Sequence, residues 1–428
     1  FVYPSKLELE YADQENSSIT WYRGLPKPND THIEWEEVGT GFMYHAKSSD
    51  IGYKLKVTCL PRNSERSGPL VEAISKCEVQ ADPGVCPFDT RHMFTQDKLT
   101  GSKFRVVSYN LLADLYADSE TAKKELFPYC PEYALNIDYR KQLFIKELIG
   151  YNADLMCLCE VDDKIFDMDL TPVLGNRDFM GTFQMKGTTR EGLATFWNNQ
   201  KFELVEKHGM NIGENVEKLP EFTSIWNNIR TNEALKQRLV DRSTALQVTL
   251  LKVKNHNTRL LLVANTHLYF HPDADHVRLL QIGLSMLFIE NYMKDLRTKH
   301  PDTEIALVFC GDFNSVPECG IYKLMTENFV PQDFIDWKSN EKEAVQGLEL
   351  RQPFKMCSAY SPEIPFTNFT PHFTATLDYI FYESDKLKVD EVIPIPSEEE
   401  MKAHVAIPSL VSPSDHIALI ANLDWKLN

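Results

Sequence analysis

The hydrophobic positions of the chain follow two different patterns before and after about residue 90. Up to residue 80, short stretches of alternating apolar and polar residues are separated by turn-forming residues, which is typical of strands with one buried face. Beyond residue 104, longer apolar runs alternate with segments whose apolar residues recur at helical spacing. The change predicts a small all-β domain followed by a larger domain of alternating strands and helices.

The first domain is predicted to span residues 1–86 and to be sandwich-like. Its candidate strands are residues 7–11, 18–23, 42–45 and 54–59. Trp21 falls where an immunoglobulin-like sandwich has its core tryptophan, but no cysteine upstream of Cys59 is available for the sandwich disulfide. The missing disulfide favours a reducing compartment.

Residues 87–103 are predicted to be a linker, and residues 104–428 a layered α/β domain. The candidate strands are 104–110, 153–160, 193–197, 245–250, 260–267, 304–310, 377–382 and 416–423, and the candidate helices are 139–150 and 276–300. Segment 212–240 is polar and contains several asparagines, and its pattern predicts no element.

Composition narrows the class of protein without identifying it. The chain has 428 residues, of which 43% are hydrophobic and 25% charged, and this is ordinary for a globular protein. No apolar run approaches the roughly 20 residues that a membrane span requires. The net charge of −17 excludes a nonspecific DNA coat protein, which would be basic. An acidic protein can still act on nucleic acid if a local basic rim or bound cations attract the phosphates.

Polar residues with chemical potential stand at the ends of the predicted strands. They are Asn110, Glu160, His267, Asp312, Asn314, Asp378, Asp415 and His416. Each one alone is more often a helix cap, a turn residue or a hydrogen-bonded structural histidine. Several such residues, each next to a hydrophobic strand, are better explained by one site, since sites are built where strand ends meet at the edge of a sheet.

These segments resemble the endonuclease/exonuclease/phosphatase superfamily. The matching strings are VSYN at 107–110, LCEV at 158–161, NTHL at 265–268, CGDFNS at 310–315, LDYI at 377–380 and SDH at 414–416. Their order and spacing fit over about residues 104–428, although Cys159 replaces the glutamine that usually precedes the metal-binding glutamate. The resemblance implies a four-layer α/β/β/α sandwich with a divalent cation, normally Mg²⁺ and replaceable by Mn²⁺, at the edge of its two sheets.

The resemblance also implies a set of metal ligands. Glu160 would be the main ligand, and Asn110 and Asp415 would complete the shell, partly through water. Asp312 and Asn314 would be further ligands of the same metal. Carboxylate and amide oxygens suit a hard cation, and such a cation neutralises the charge by which a phosphodiester repels a nucleophile.

The catalytic roles come from the same resemblance. Asp312 would orient or deprotonate the attacking water, and Asn314 would hold the scissile phosphate and the water in line. His416, oriented by Asp378, would bond the phosphate or assist the leaving oxygen. His267 would stabilise the charged oxygens of the phosphorane-like transition state.

Within the superfamily, three strings resemble poly(A) deadenylases of the carbon-catabolite-repressor type. They are FTNFT at 366–370, LDYIFY at 377–382 and the segment 408–416. That branch implies that Phe373 stacks on an adenine and that Pro272 lines the same pocket, whereas a core aromatic is the other interpretation of Phe373. Inositol phosphatases have Asp-Arg where this chain has Asp378 and Tyr379, and apurinic endonucleases tend to be basic.

The N-terminal β domain narrows the resemblance to deadenylase relatives that carry such a domain. These cleave 2′,5′-linked oligoadenylates and 3′ poly(A) ends, release 5′-AMP, and work in the mitochondrial matrix. We therefore expect oligoadenylate and poly(A) ends as substrates, with no membrane and no obligate protein partner. An ordinary 3′,5′ deadenylase is the alternative. An inactive nucleotide-binding module is a further one, but it would normally have lost a residue such as Glu160 or Asp312.

Overall fold

The computed structural model describes residues 1–26, 32–242, 244–256 and 258–426. The chain divides into two compact units. The first unit comprises Phe1–Val85 together with Asp167–Arg177, and the second comprises Cys86–Phe166 and Asp178–Asn428.

The first unit is built on one antiparallel sheet, and the prediction of an all-β N-terminal region is confirmed. Its strands are β1 (Asp13–Gly24), β2 (Glu36–Thr40), β3 (Lys54–Arg62) and β4 (Val71–Ile74), in the order β2-β1-β3-β4. Alternation along β1 and β3 buries Trp21, Leu55 and Val57 on one face. The N-terminal segment packs on that face through Val2 and Leu7, so residues 7–11 are irregular instead of the predicted strand.

The second unit contains two six-stranded sheets. Its strands are β5 (Lys103–Asn110), β6 (Leu155–Asp162), β7 (Phe179–Met185), β8 (Glu191–Asn198), β9 (Phe202–Asn211), β10 (Ala245–Val253), β11 (Arg259–His267), β12 (Glu304–Asp312), β13 (Phe329–Val330), β14 (Leu350–Arg351), β15 (Met356–Ser358), β16 (Asn368–Phe369), β17 (Thr374–Ala375), β18 (Asp378–Glu383), β19 (Leu387–Val392) and β20 (Leu419–Trp425). Sheet I has the order β19-β20-β5-β6-β8-β7, and sheet II has the order β15-β18-β12-β11-β10-β9.

Helices connect and cover these strands. They are α1 (Pro87–His92), α2 (Asp114–Ala117), α3 (Glu132–Leu135), α4 (Ile137–Gly150), α5 (Asp163–Ile165), α6 (Thr171–Gly175, in the first unit), α7 (Ile212–Asn215), α8 (Thr223–Ile229), α9 (Glu233–Asp241), α10 (Asp275–Lys299), α11 (Gly320–Glu327) and α12 (Glu398–Lys402). None of the helices described combines the length and the apolar character that a bilayer crossing demands.

The four-layer α/β/β/α architecture is confirmed by how the apolar side chains pack. Val106 of sheet I and Val308 of sheet II belong to one buried cluster between the sheets. The opposite face of sheet II packs Leu262 against α10, whose Leu280 is fully buried. Helix α4 is linked to sheet I by a hydrogen bond from the Tyr109 hydroxyl to Glu147. Because both faces of each central strand are covered, the strands are continuous apolar runs.

Two longer segments also differ from the sequence prediction. Residues 87–103, predicted as a linker, contain helix α1, whose buried Arg91 donates hydrogen bonds of 2.7 Å to the carbonyl of Ala418 and 3.0 Å to that of Pro394. Segment 212–240 contains helices α7, α8 and most of α9. Its apolar residues are too sparse to form a recognisable period, but Ile212 and Phe222 are fully buried.

Candidate active site

Two parallel strand pairs bring the predicted residues to one edge of the sandwich. In sheet I, β5 and β6 pair Asn110 with Cys159, and in sheet II, β11 and β12 pair His267 with Asp312. The neighbouring antiparallel strand β18 pairs Asp378 with Asp312. Since parallel strands end at the same edge, their last side chains share one crevice, which is where open α/β sheets place their sites.

Glu160 lies at an irregularity inside β6 and does not end the strand as predicted. The strand continues to Asp162, and its register against β8 shifts between Leu158 and Val161. Glu160 has a positive φ of 52°. Such a bulge redirects a side chain. The Oε2 atom of Glu160 accepts a hydrogen bond of 3.0 Å from the amide of Ala113.

Asn110 joins the carboxylates of the two sheets. Its Nδ2 donates to Oε1 of Glu160 at 2.9 Å and to Oδ2 of Asp312 at 3.0 Å. Its own Oδ1 accepts from the amide of Leu112 at 3.0 Å. One buried amide therefore sets the separation between the two acidic side chains.

A glycine allows the backbone to bring Asp312 into place. Gly311 has a φ of +149°, and a Cβ there would lie 2.0 Å from the carbonyl oxygen of Thr266 on the adjacent strand. Asp312 follows at the end of β12, and its Oδ1 accepts from the amide of Asn314 at 2.9 Å. Nδ2 of Asn314 donates to the carbonyl of Leu268 at 2.9 Å, which ties the two loops after β11 and β12 together.

His416 and Asp378 form a hydrogen-bonded pair. Nδ1 of His416 lies 2.8 Å from Oδ2 of Asp378, which also accepts from the Thr367 hydroxyl at 2.6 Å. Burial disfavours the charge on His416, but Asp378, Asp312 and Asp415 outweigh it and hold its pKa well above the usual value. Asp415 and His416 precede β20, which begins at Leu419, so they lie in a loop and do not open the last strand as predicted.

His267 has the opposite protonation preference. Burial, the cation of Lys186 and the charge of His416 lower its pKa well below the usual value. Nζ of Lys186 lies 3.0 Å from Nδ1 of His267, and lysine has only donors, so the proton of the neutral ring is on Nε2. That Nε2 lies 3.6 Å from Oδ2 of Asp312 and 3.9 Å from Oε1 of Glu160.

The two central carboxylates are costly to ionise, and this fits a cation site. Burial raises the pKa of Glu160 to about 7, and the nearby charges of Asp415 and Glu191 add to the effect. Burial and the charge of Asp378 raise the pKa of Asp312 to about 6. Oδ1 of Asp415 is buried and has no hydrogen-bond partner among the described residues. A divalent cation with oxygen ligands would stabilise all these charges.

The candidate ligands are not equally free to bind a metal. Potential ligand atoms of Asp312, Asp378 and His416 all lie within 4.8 Å of one another. Nδ1 of His416 and Oδ2 of Asp378 are already hydrogen-bonded to each other. Asp312 and Glu160, which share the Asn110 amide, are therefore the better-placed pair, and the full predicted ligand set remains a prediction.

Sequence reasoning missed two charged residues of the site. Lys186 follows β7, and Glu191 begins β8. Glu191 is 1% exposed, its Oε1 lies 3.7 Å from Nζ of Lys186, and its Oε2 has no hydrogen-bond partner among the described residues. Neither residue ends a hydrophobic run, so the signal that revealed the others was missing. Cys159, which departs from the superfamily pattern, donates its thiol to the carbonyl of Thr266 at 3.3 Å.

The two predicted adenine contacts are on the surface. Phe373 is 51% exposed in the turn between β16 and β17, where its amide donates to the Thr370 hydroxyl at 3.1 Å. Its exposure excludes the alternative of a core aromatic. Pro272 is exposed in the loop that follows His267. Contact of either residue with adenine remains a prediction.

The fold and the site together define a phosphoester hydrolase with a carboxylate-rich centre. Residues 107–416 match the model of the Endonuclease/Exonuclease/phosphatase family. A solved structure described as ANGEL2, a 2′,3′-cyclic phosphatase, shares the fold with a TM-score of 0.62 at 22% identity, covering 77% of this chain and 98% of that one.

The N-terminal unit matches a more particular group. Residues 1–80 match the 2′,5′-phosphodiesterase 12-like N-terminal domain. The chain is 40% identical to 2′,5′-phosphodiesterase 12 of Rattus norvegicus, over 98% of this chain and 70% of the relative. It is 29% identical to the CCR4-Not complex 3′-5′-exoribonuclease subunit Ccr4 of Mycosarcoma maydis, over 76% of this chain and 51% of that protein. The chain belongs to the endonuclease/exonuclease/phosphatase family and, within it, to the 2′,5′-phosphodiesterase 12 family. It is a phosphodiesterase.

Proposed function

We propose that this phosphodiesterase degrades 2′,5′-linked oligoadenylates and 3′,5′ poly(A) ends with Mg²⁺ and releases 5′-AMP. The observation that carries the chemistry is the position of Asp312, whose Oδ2 lies 3.6 Å from Nε2 of both His267 and His416. The names of the relatives, a 2′,5′-phosphodiesterase and a 3′-5′-exoribonuclease, support the choice of substrate.

Asp312 is suited to accept a proton from water. Its carboxylate is buried at the centre of the site, where it can act as a general base. In the proposed step, the water oxygen forms a bond to phosphorus and gives its proton to Asp312. The bond from phosphorus to the 2′ or 3′ oxygen of the preceding nucleotide breaks, and the phosphate stays on the released 5′-AMP.

The two histidines act on different oxygens in this proposal. His416 is protonated at neutral pH because of its carboxylate neighbours, so it can donate a proton from Nε2 to the leaving oxygen. His267 stays neutral and donates a hydrogen bond from Nε2 to a non-bridging oxygen, where negative charge develops. Asn314 holds the phosphate at the loop beside Leu268.

Glu160 and Asp312, with Asn110, Asn314 and Asp415, would hold the Mg²⁺. The cation would neutralise the charge of the phosphate as the water approaches. A bound cation would also help to attract the polyanionic substrate to a chain whose net charge is −17. Lys186 adds one positive charge beside His267.

The test compares two adenylate trimers that differ only in linkage, 2′,5′ and 3′,5′. Each is incubated with the enzyme and Mg²⁺ or with EDTA, and AMP is measured by chromatography. We expect AMP from both trimers, or mainly from the 2′,5′ trimer, and only with the metal. Cleavage of the 3′,5′ trimer alone would make the protein an ordinary deadenylase, and no AMP from either would reject the proposed substrate.

We also propose the mitochondrial matrix as the place of action, from the resemblance to the branch with an N-terminal β domain. Fractionation of cells that express the full-length natural protein, with protease protection of the purified mitochondria, tests this. Recovery of the protein only in the cytosol would reject it.

A further inference from the structure

In addition to Lys186, two arginines lie beside the loop that follows His267. Helix α9 carries Arg238 near its C-terminal end and is capped by Arg242, and both guanidinium groups lie over the ring of Tyr269, at 5.4 and 5.0 Å from its centroid. Tyr269 is separated from His267 by one residue, Leu268, whose carbonyl is bonded to Asn314. Its Cα is therefore at most about 7.6 Å from that of His267.

The two arginines differ in how their charge is used. Arg238 contacts Asp273 and bonds Glu343 at 2.7 Å, and its side chain is 11% exposed. Arg242 is exposed, and no carboxylate of the described chain lies within ion-pair distance of it. Arg242 therefore has free donors facing solvent, while stacking on Tyr269 limits the positions it can take.

Buried residues of α10 hold Tyr269 in place. Arg278 donates from Nη1 to the carbonyls of Tyr269 at 2.9 Å and His271 at 2.7 Å, and Gln281 accepts from the Tyr269 amide at 3.1 Å. These two residues therefore bond within the protein. The main chain of Tyr269, on whose ring Arg242 stacks, is therefore held in place.

The arginine borders a cleft of ligand size. The cleft has a volume of about 490 Å³, within the usual range for small-ligand sites. Its lining includes Arg238, Arg242 and Tyr269 and three carboxylates, those of Asp241, Asp273 and Glu343. Asp273 and Glu343 are paired with Arg238. The Tyr269 ring also stacks with His271 at 6.1 Å, so its faces are occupied and the ring is poorly placed to stack on a base. The guanidinium of Arg242, which has no ion-pair partner among the described residues, is the group of the cleft that can bind an anion.

We propose that Arg242, oriented by Tyr269, binds the substrate phosphate next to the scissile one, on the 5′ side of the penultimate nucleotide. This inference rests on the proposed oligoadenylate-degrading function. The scissile phosphate would lie at His267 and Asp312, and the loop that follows His267 supplies Tyr269 and His271 to the cleft beside Arg242. A guanidinium is the side chain that best matches two phosphate oxygens.

Two dinucleotides isolate this contact. ApA has only the scissile phosphate, whereas pApA carries a second phosphate at its 5′ end. We expect the wild-type kcat/KM to be about tenfold higher for pApA than for ApA, since charge-assisted hydrogen bonds to an exposed group are of this strength. The Arg242→Gln variant should reduce that ratio to near one. Arg242→Lys, which keeps the charge without the planar donors, should give an intermediate ratio.

Neighbouring residues of α9 and α8 provide the controls. Asp241→Asn removes an exposed negative charge from the same cleft and should raise the pApA-to-ApA ratio by about twofold, because screened charges act weakly. Arg230→Gln removes an exposed arginine that does not line the cleft and should leave the ratio at its wild-type value. A wild-type ratio near one, or an unchanged ratio in Arg242→Gln, would overturn the proposal.

A binding measurement separates this proposal from the function on which it rests. Calorimetry on Asp312→Asn, in which turnover is blocked, gives the dissociation constants of pApA and ApA directly. If the two dissociation constants differ tenfold and the added Arg242→Gln substitution removes this difference, the phosphate contact is supported. This conclusion holds even if the wild-type enzyme cleaves neither dinucleotide. The lack of cleavage would reject only the proposed reaction. Equal dissociation constants together with normal cleavage would reject only the contact.

Discussion

Buried carboxylates in the two units differ in how their charge is compensated. In the first unit, Asp50 accepts hydrogen bonds from the Lys47 amide at 2.8 Å, the Tyr44 hydroxyl at 2.7 Å and the Arg23 guanidinium at 3.0 Å. Burial alone would raise the pKa of Asp50, but these partners outweigh it and lower the pKa below its usual value. In the second unit, Glu160 and Asp312 are also buried, and their pKa values are raised to about 7 and 6.

The difference in pKa distinguishes a buried carboxylate that stabilises the fold from buried carboxylates that serve the active site. The partners of Asp50 are supplied by the fold itself, so its ionised form stabilises the first unit. Glu160 and Asp312 share the neutral side-chain amide of Asn110 and face further carboxylates. Their ionised forms would therefore be stabilised by a bound cation. Perturbed carboxylates of this kind mark functional sites and lower the stability of the fold.

The largest expected effect comes from removing the uncompensated carboxylates. Asp312→Asn and Glu160→Ala should each lower kcat on the order of a thousandfold, because a proton acceptor or a cation ligand is lost. The melting temperature should stay the same or rise, since the removed carboxylate is costly to ionise in the folded protein, as its raised pKa shows. Kinetics and calorimetry on the same preparations measure both. Retention of more than a tenth of the wild-type kcat by either variant would reject its role.

The raised pKa values predict that metal binding weakens in acid. A cation must displace protons from Glu160 and Asp312, whose pKa values are about 7 and 6. The apparent affinity for Mg²⁺ should therefore fall by about a hundredfold between pH 7.5 and pH 5.5, with release of protons on binding. Titration calorimetry in buffers of different ionisation enthalpy measures both quantities. An affinity independent of pH over this range would mean that other groups bind the metal.

Substitution of Asp50 is expected to lower the stability of the protein, unlike substitution of Glu160 or Asp312. Asp50→Ala should destabilise the first unit by about 2 kcal/mol, because it leaves a buried hydroxyl and an amide without their acceptor. Since the folded-state pKa is lowered, the stabilisation by Asp50 is present above the unfolded pKa and is lost as the pH falls through the folded value. Chemical denaturation of wild type and variant at neutral and acidic pH checks both points. Equal stability at neutral pH would show that the cluster contributes nothing.

The smallest effect is expected outside both clusters, at Phe373. Its exposed ring can stack on a base, so Phe373→Ala should reduce the preference for adenylate over uridylate trimers by about fivefold and change general turnover less. Phe94, another exposed phenylalanine at 48%, is the matched control, and Phe94→Ala should keep the wild-type ratio. An unchanged ratio in Phe373→Ala would contradict the stacking role.

Much of the catalytic unit could be predicted because its signals are local. The helix predicted at 276–300 is Asp275–Lys299, and the one predicted at 139–150 is Ile137–Gly150. Asn110, His267 and Asp312 were recognisable because each is polar at the end of an apolar strand. Helix α1 was missed because a short amphipathic segment between a Pro/Gly-rich stretch and a strand has no clear period. The short helices of segment 212–240 were missed for the same reason.

The sequence by itself determined which residues could do the chemistry, since strand ends and motif spacing are properties of neighbouring positions. Only the tertiary structure decided how these residues are charged. The bulge that redirects Glu160, the Lys186 amine beside His267 and the orphaned oxygen of Glu191 depend on contacts between distant segments. A pKa responds to burial and to charges in space, so it becomes fixed only when the two sheets have brought these groups together.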